Sequence, residues 1–287
     1  MAEAVSGAAI CRQAVAQLVA AGVPDAAQDV RRLFLHALNA GGDAVRMHHL
    51  ADHLARPVPG PVQAVFDAAI AARLRRQPVS QIIGRRAFWK HEFRVTPDVL
   101  DPRPETETLV AAALGLGWGR MLDLGTGSGA ILVSLLTERP GSTGLGVDLS
   151  TAALAVAQEN AAMAGVRADF LESDWYASVE GHFDLIASNP PYVTLDEMAG
   201  LAPELREWEP HLALTDGGDG LGAYRVICAG APAHLVPGGH LLVEIGPDQG
   251  AAVLALMQSA GLAGCHVLPD LDGRDRVVCG RLPHAQG

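Results

Sequence analysis

Lysine is almost missing from this 287-residue chain: of 21 basic side chains only Lys90 is a lysine, and all others are arginine. Beside the abundant alanine, this reads as a coding bias toward G and C and not as a mechanism. Cysteine is scarce too. Cys11, Cys228, Cys265 and Cys279 show neither C-x-x-C spacing nor close pairing, which excludes a disulfide framework and reads as buried thiols in a reducing cytosol. Long apolar runs are also lacking. No stretch approaches the ~18 residues that cross a membrane, and Met1-Ala2-Glu3 lacks the basic region of a signal peptide. The expectation is a soluble, cytoplasmic protein with no membrane partner. No metal is expected. His49 and His53 lie four apart and can share a helical face, but with no carboxylate or third ligand nearby they read as surface histidines.

Excess positive charge is missing overall, the formal net charge being −11. Its distribution is uneven. Residues 1–90 hold 11 basic and 6 acidic side chains, a balance of +5; residues 91–287 hold 10 and 26, a balance of −16. A hydrophobic fraction of 49% over this length suffices for two buried cores. Neither internal repeats nor low-complexity tracts are evident.

Four helical patterns fill the first part, at about 8–21, 25–38, 43–55 and 60–76. Ile10, Ala14, Leu18 and Ala21 mark one apolar face, and Val30, Leu33, Phe34 and Leu38 another. Gly22-Val23-Pro24-Asp25 and Gly41-Gly42-Asp43 each supply a stop followed by an N-cap acid. Residues 80–100 change character: Ile82, Ile83, Phe88, Trp89, Phe93 and Val95, with a bend near Lys90-His91, predict a short hairpin. Beyond 103 a helix is followed by strands near 120–124, 144–148, 167–172, 183–187 and 239–245, separated by helices. A closing pair is expected around His266-Val267-Leu268 and Asp275 to Cys279. Such alternation argues for an α/β fold with a mostly parallel sheet covered on both faces. The domains expected are a helical bundle at 1–76, a linker with a β-hairpin at 77–102 and an α/β domain at 103–287. Residues 194–220, with Pro203, Pro210 and Gly217-Gly218, read as a long substrate-facing loop.

Two motifs sit at strand ends. Met121-Leu122-Asp123-Leu124 runs into Gly125-Thr126-Gly127-Ser128-Gly129 and then a helical pattern, so glycines let a ligand approach the backbone at a helix N-terminus. The spacing is neither G-x-G-x-x-G nor a P-loop. Asp148 ends the next strand about 20 residues on, where an acid grips ribose hydroxyls. The combination favours an adenosine-containing ligand. Asp174 can hold an adenine amine; Trp175 either covers that ring or is an ordinary packing aromatic. The second motif, Asn189-Pro190-Pro191-Tyr192, follows the apolar run 183–188. It is either a turn or a clamp: two prolines hold the Pro190 carbonyl and the Asn189 side chain in place, and both oxygens can accept from one NH2 group. Tyr192 offers an aromatic face beside it.

With these motifs the chain resembles the class I S-adenosylmethionine-dependent methyltransferases, and within them the bacterial protein-glutamine methyltransferases that modify peptide chain release factors. Gln77-Pro78-Val79-Ser80-Gln81-Ile82-Ile83-Gly84, Phe88-Trp89 and Pro102-Arg103-Pro104-Glu105-Thr106-Glu107 carry the resemblance across nearly the whole length. It implies a Rossmann-like sheet with its last strand antiparallel, and S-adenosylmethionine as methyl donor. It also implies Gly125, Thr126, Gly127, Ser128, Gly129, Asp148, Asp174, Trp175 and Asn189 at the cofactor. Asn189, Pro190, Pro191 and Tyr192 are implied at the substrate glutamine, with Asn189, Pro190 and Tyr192 catalytic. One departure is Asp101, where the family usually carries an apolar residue, a difference that bears on loop packing.

Expected partners are thus release factors, the glutamine of their Gly-Gly-Gln motif being the acceptor, and no nucleic acid. The alternative is a DNA methyltransferase acting on the exocyclic amine of adenine, which the same clamp fits. The −16 balance would repel a phosphate backbone. A binding module with a vestigial fold is a third reading, opposed by the intact glycine loop, Asp148 and Asn189. Arg73, Arg75, Arg76, Arg85 and Arg86 either dock an acidic surface of the partner or form a solvated helix end.

Overall fold

The computed structural model describes residues 5–42 and 45–284; Met1, Ala2, Glu3 and Asp43, with the expected start of the third helix, lie outside them. The chain divides into two compact units, Met1–Gly84 with Pro203–Trp208, and Arg85–Ala202 with Glu209–Gly287.

The first unit is built on α1 (Gly7–Ala20), α2 (Ala26–Ala40), α3 (Leu50–Leu54), α4 (Gly60–Leu74) and α5 (Val79–Ile83). Ile10, Ala14 and Leu18 are buried as their spacing predicts, as are Val30, Leu33, Phe34 and Leu38, whereas Ala21 falls just past α1 and is exposed. Phe34 and Phe66 meet edge to face at 5.4 Å in the middle of this core. The expected third helix is shorter than its pattern, a tight turn Met47–His49 leading into α3. Asp25 precedes α2 in a left-handed conformation (φ 54°) and its side chain makes no cap bond; its carbonyl accepts from the N–H groups of Gln28 and Asp29 instead. Ile82 and Ile83, read as strand formers, lie in α5. Pro78 starts that turn, its carbonyl accepting from Ile82 N–H, and both isoleucines pack on the helical core, so burial overrides β propensity.

The arginines do not form an open patch. Arg73 lies between Asp29 (2.7 Å) and Glu204 (2.9 Å), its side chain only 6% exposed. Arg76 donates to Glu204 Oε2 and to the Gly22 carbonyl, both at 2.8 Å. Arg85 pairs with Glu92 at the surface, and Arg86 donates to the Pro102 carbonyl, so that of the five only Arg75 and Arg85 are exposed. The acids are supplied from within the fold, which cancels most of the charge expected to dock a partner.

In the second unit β1 (Arg85–Phe88) and β2 (His91–Arg94) form the expected hairpin, turning at Trp89–Lys90. Trp89 takes φ 52°, and its N–H donates to Glu107 Oε1. Then follow α6 (Glu107–Leu114), β3 (Arg120–Leu124), α7 (Ala130–Glu138), β4 (Thr143–Asp148), α8 (Thr151–Ala164), β5 (Asp169–Glu172) and β6 (Phe183–Ser188). The segment 194–220 is not one loop but carries α9 (Leu195–Met198), α10 (Pro203–Trp208) and α11 (His211–Leu214), and α10 belongs to the first unit. These helices are too short to show a period in the sequence. Last come α12 (Gly222–His234), β7 (Leu235–Glu244), α13 (Gly250–Ser259), β8 (Ala263–Pro269) and β9 (Asp275–Arg281).

The seven strands run in the order β5-β4-β3-β6-β7-β9-β8. The first five are parallel and β9 is antiparallel to both neighbours, as the resemblance implies. Alternate residues of the central strands serve opposite faces. Met121, Leu185, Ala187 and Leu242 join one core, and Leu122, Leu124, Ile186 and Val243 the other. Cys228 and Cys279 are buried within these cores, but Cys11 and Cys265 are only half-buried. No helix among the described residues is long and apolar enough to cross a membrane.

Arg73 is the charge on which the helical core closes. Arg73→Ala leaves Asp29 without its partner in a dry setting and should cost about 3–5 kcal/mol. A urea titration followed by far-UV circular dichroism checks this; an unchanged first transition would show that the pair contributes nothing.

Candidate active site

The chain runs from β3 outward through β4 to β5 and then returns to β6 on the other side of β3, so the sheet order reverses between β3 and β6. A crevice opens at the carboxyl ends of strands at such a point. Both motifs lie there. Leu124 of β3 is paired in register with Ser188 of β6, and the Ser188 hydroxyl donates to the Leu124 carbonyl at 2.7 Å.

After β3 the backbone takes positive φ at Gly125 (68°), Gly127 (54°) and Gly129 (78°), which only glycine adopts without strain. Gly129 also has a packing role: a Cβ there would lie 3.2 Å from Ala157 Cβ, so α7 starts against α8. Thr126 N–H donates to the Val147 carbonyl (2.9 Å) and its hydroxyl to Asp123 Oδ2 (2.7 Å). Asp148 ties this loop to the next strand. Its Oδ2 accepts from Gly127 N–H (2.8 Å) and its Oδ1 from Ser150 N–H (2.9 Å).

Asn189 leaves β6 with its side-chain Nδ2 donating to Thr106 Oγ1 at 3.2 Å. Pro190 is buried, and Tyr192 is half-buried against the core on the α12 and α13 face. Gln249 holds this turn, its Nε2 donating to the carbonyls of Tyr192 (3.0 Å) and Gly220 (3.1 Å).

A cavity of about 490 Å³ occupies the crevice. Gly125, Thr126, Gly127, Ser128, Asp148, Asp174, Trp175, Asn189 and Pro191 line it, and Gly129, Pro190 and Tyr192 stand behind or beside it. Every lining residue belongs to the second unit. Trp175 is a packing aromatic that also reaches the cavity, its ring 3.8 Å from where a Cβ on Gly125 would stand. Trp175 takes φ 50°, its carbonyl accepting from the Ser173 hydroxyl at 2.8 Å.

Several groups escaped sequence reasoning. Asp123 and Glu244 are buried carboxyls at the ends of β3 and β7, inside apolar runs that gave no sign of a ligand site. Thr106 sits within the quoted Pro-Arg-Pro-Glu-Thr-Glu segment, but its reach to Asn189 is a contact across 83 positions. The Asp101 departure is also accommodated: the residue is buried with Oδ2 3.9 Å from Arg86 Nε. Burial pushes Asp123, Glu244 and Glu209 each up to about 7; hydrogen bonds from Thr126 to Asp123 and from Thr106 to Glu244, and the Arg103 guanidinium beside Glu209, only partly oppose it. Burial also raises Asp148, against the pull of its backbone N–H donors.

The sheet order and the glycine crevice define a class I methyltransferase fold. Residues 105–205 match the methyltransferase small domain family, and residues 9–84 the PrmC N-terminal domain. The chain is 59% identical over 276 residues to the release factor glutamine methyltransferase of Cereibacter sphaeroides, covering 96% of this chain and 98% of the relative. It is 45% identical to that of Rhodospirillum rubrum, covering 92% and 82%. This protein belongs to the release factor glutamine methyltransferase family. Among solved structures, a methyltransferase from Pyrococcus furiosus (TM-score 0.53, 16% identity, 69% of this chain and 91% of that one) shares the fold. So does the catalytic domain of hMettl16 (TM-score 0.55, 14% identity, 68% and 76%).

The raised carboxyls have a thermodynamic sign. The folded chain keeps protons on Asp123, Glu209 and Glu244 up to about pH 7. The unfolded chain releases them near pH 4, so stability falls as pH rises between about 4 and 7. Denaturant midpoints should therefore be higher near pH 6 than near pH 8. Asp123→Asn should flatten that slope, and an identical slope in the variant would clear Asp123 of any part in it.

Proposed function

We propose that this chain transfers the methyl group of S-adenosylmethionine to the side-chain amide nitrogen of the glutamine in the Gly-Gly-Gln motif of peptide chain release factors, in the cytoplasm. The observation that carries this reading is that Asn189 and the glycine loop open into one cavity at the reversal of the sheet.

The cavity fits the donor in size and in charge. About 490 Å³ lies within the range of small-molecule sites, and Asp148, Asp174, Asp98 and Asp216 on its wall suit a cation. Gly125 to Gly129 would bring backbone close to the ligand, Asp148 would take ribose hydroxyls on lone pairs left by its two N–H donors, and Asp174 and Trp175 would hold the adenine. When bound, S-adenosylmethionine supplies a methyl group on a sulfonium sulfur that departs as a neutral thioether.

What remains falls to the clamp. An amide nitrogen is a poor nucleophile because its lone pair is delocalised into the carbonyl. Accepting both N–H bonds, at Asn189 Oδ1 and the Pro190 carbonyl, turns that lone pair toward the methyl group and stabilises positive charge developing on nitrogen through fixed dipoles. Pro191 and Tyr192 keep the turn in place beside the acceptor. In-line positioning supplies the rest. The methylated nitrogen is acidic and sheds its proton afterward, so no general base is assigned. The helical domain, matched over residues 9–84 and contributing nothing to the cavity lining, is assigned to recognition of the protein partner.

Incubation with labelled S-adenosylmethionine and either purified release factor or DNA, with the methyl group located by mass spectrometry, tests the reading. Label on an adenine and none on glutamine would overturn it.

Asn189→Ala should lower turnover by about 10²–10³-fold while cofactor affinity stays within a few-fold. Asp148→Ala should raise the cofactor dissociation constant by about 10–100-fold. Titration beside single-turnover kinetics separates the two, and equal loss of cofactor binding in both would sink the division of roles. Changing the acceptor glutamine to glutamate should abolish methylation, because a carboxylate offers no N–H donors to two acceptor oxygens. Ester formation at a comparable rate would show that no NH2 group is being read.

A further inference from the structure

Thr106 occupies the N-cap position of α6, where a threonine side chain ordinarily accepts from the first turn's N–H groups. Here it does not: φ is −64°, ψ is −20°, and no side-chain cap bond is made. Its hydroxyl turns into the site, 4% exposed, accepting from Asn189 Nδ2 at 3.2 Å and lying close enough to the Glu244 carboxylate to hold its pKa down. Glu244 is 1% exposed, and its Oε2 has no hydrogen-bond partner among the described residues. A buried carboxylate so thinly partnered is costly to keep.

The two ends of an asparagine amide are nearly the same shape, so packing alone does not decide which faces the cavity. A chain of hydrogen bonds does. Above pH 7, where Glu244 has given up its proton, its carboxylate only accepts, so the Thr106 hydrogen is committed to it. The hydroxyl then has lone pairs alone to offer, and Asn189 must present Nδ2 to it. Oδ1 is left for the cavity. We propose that Thr106 and Glu244 are positioning residues that set the direction of the Asn189 amide, and so make the clamp read an NH2 group and reject a carboxylate. This inference rests on the proposed glutamine-methylating function. The backbone supports the same arrangement, the Tyr224 hydroxyl donating to the Glu244 carbonyl at 2.8 Å and so fixing the end of β7.

The test uses the full-length protein at about pH 8, above the raised Glu244 carboxyl, with Thr106→Val, Thr106→Ser and Glu244→Gln. Thr106→Val keeps the shape and removes the hydroxyl. It should lower kcat on a release factor by about 30-fold with the S-adenosylmethionine dissociation constant within about 3-fold, and Thr106→Ser should recover most of the loss. The preference for a glutamine-bearing over a glutamate-bearing partner, measured by binding, should shrink by about 10-fold in Thr106→Val and less in Glu244→Gln. A merely structural role would weaken both partners alike. Undiminished preference in Thr106→Val overturns the proposal, and undiminished preference in Glu244→Gln removes Glu244 from it. A substrate-free readout keeps this apart from the wider function. The Asn189 side-chain NH2 protons should be protected from exchange in the wild type and lose protection in Thr106→Val, whichever acceptor is methylated; equal exchange in both overturns the proposal.

Discussion

The parallel pairing of β3 with β6 is the constraint on which the rest of the site depends. Each strand delivers one motif, the glycine loop from β3 and Asn189 from β6, and the distance between them is set by the ladder that joins Leu124 to Ser188. Strands lie about 4.8 Å apart in a sheet, so two half-sites from residues more than 60 positions apart in sequence are held at the spacing of neighbouring backbones. The Ser188 hydroxyl adds a buried bond to the Leu124 carbonyl at the place where the ladder ends. Neither motif needs a flexible loop to find the other. The apolar stripes on both faces of these strands supply the energy, and the polar residues at their ends receive the benefit.

That arrangement also accounts for the carboxyls. Asp123 and Glu244 end two of the most apolar strands in the molecule, where desolvation is severe. Each keeps one hydroxyl donor, Thr126 for the first and Thr106 for the second. Both threonines line the cavity, so a hydroxyl stands between each buried acid and the cavity, which the acids do not line themselves. Strand ends of this kind trade stability for control over the orientation of polar groups.

Much of the architecture was legible in the chain, because it follows from patterns with a short period. The faces of α1 and α2, the strand at 120–124, the hairpin bending near Lys90-His91, and the glycine loop all rest on residues close to one another in sequence. The antiparallel last strand came from family resemblance alone. What local patterns could not supply was any pairing between distant segments. Arg73 looked like free charge because its acids, Asp29 and Glu204, lie 44 and 131 positions away. Ile82 and Ile83 looked like a strand because their helical core is not adjacent in sequence. Thr106 was read as part of a motif and not as the neighbour of Asn189. The cavity collects Asp148, Asp174 and Trp175 as their strand-end positions suggested, whereas Tyr192 turns toward the core and leaves Pro191 on the wall.

The helical unit is not contiguous along the chain: Pro203–Trp208 closes it, Glu204 pairing with Arg73 and Arg76, and Trp208 bonding the Arg75 carbonyl. During synthesis the amino-terminal helices leave the ribosome long before those six residues are made. Arg76 waits 128 positions for Glu204. Until then Arg73 has only Asp29, Arg76 has no acid, and Trp208 has yet to be made, so the last stabilising contacts form only after the first four parallel strands of the other unit have been translated. The order of assembly is thereby written into the chain: the amino-terminal helices reach their final stability only once most of the parallel sheet exists.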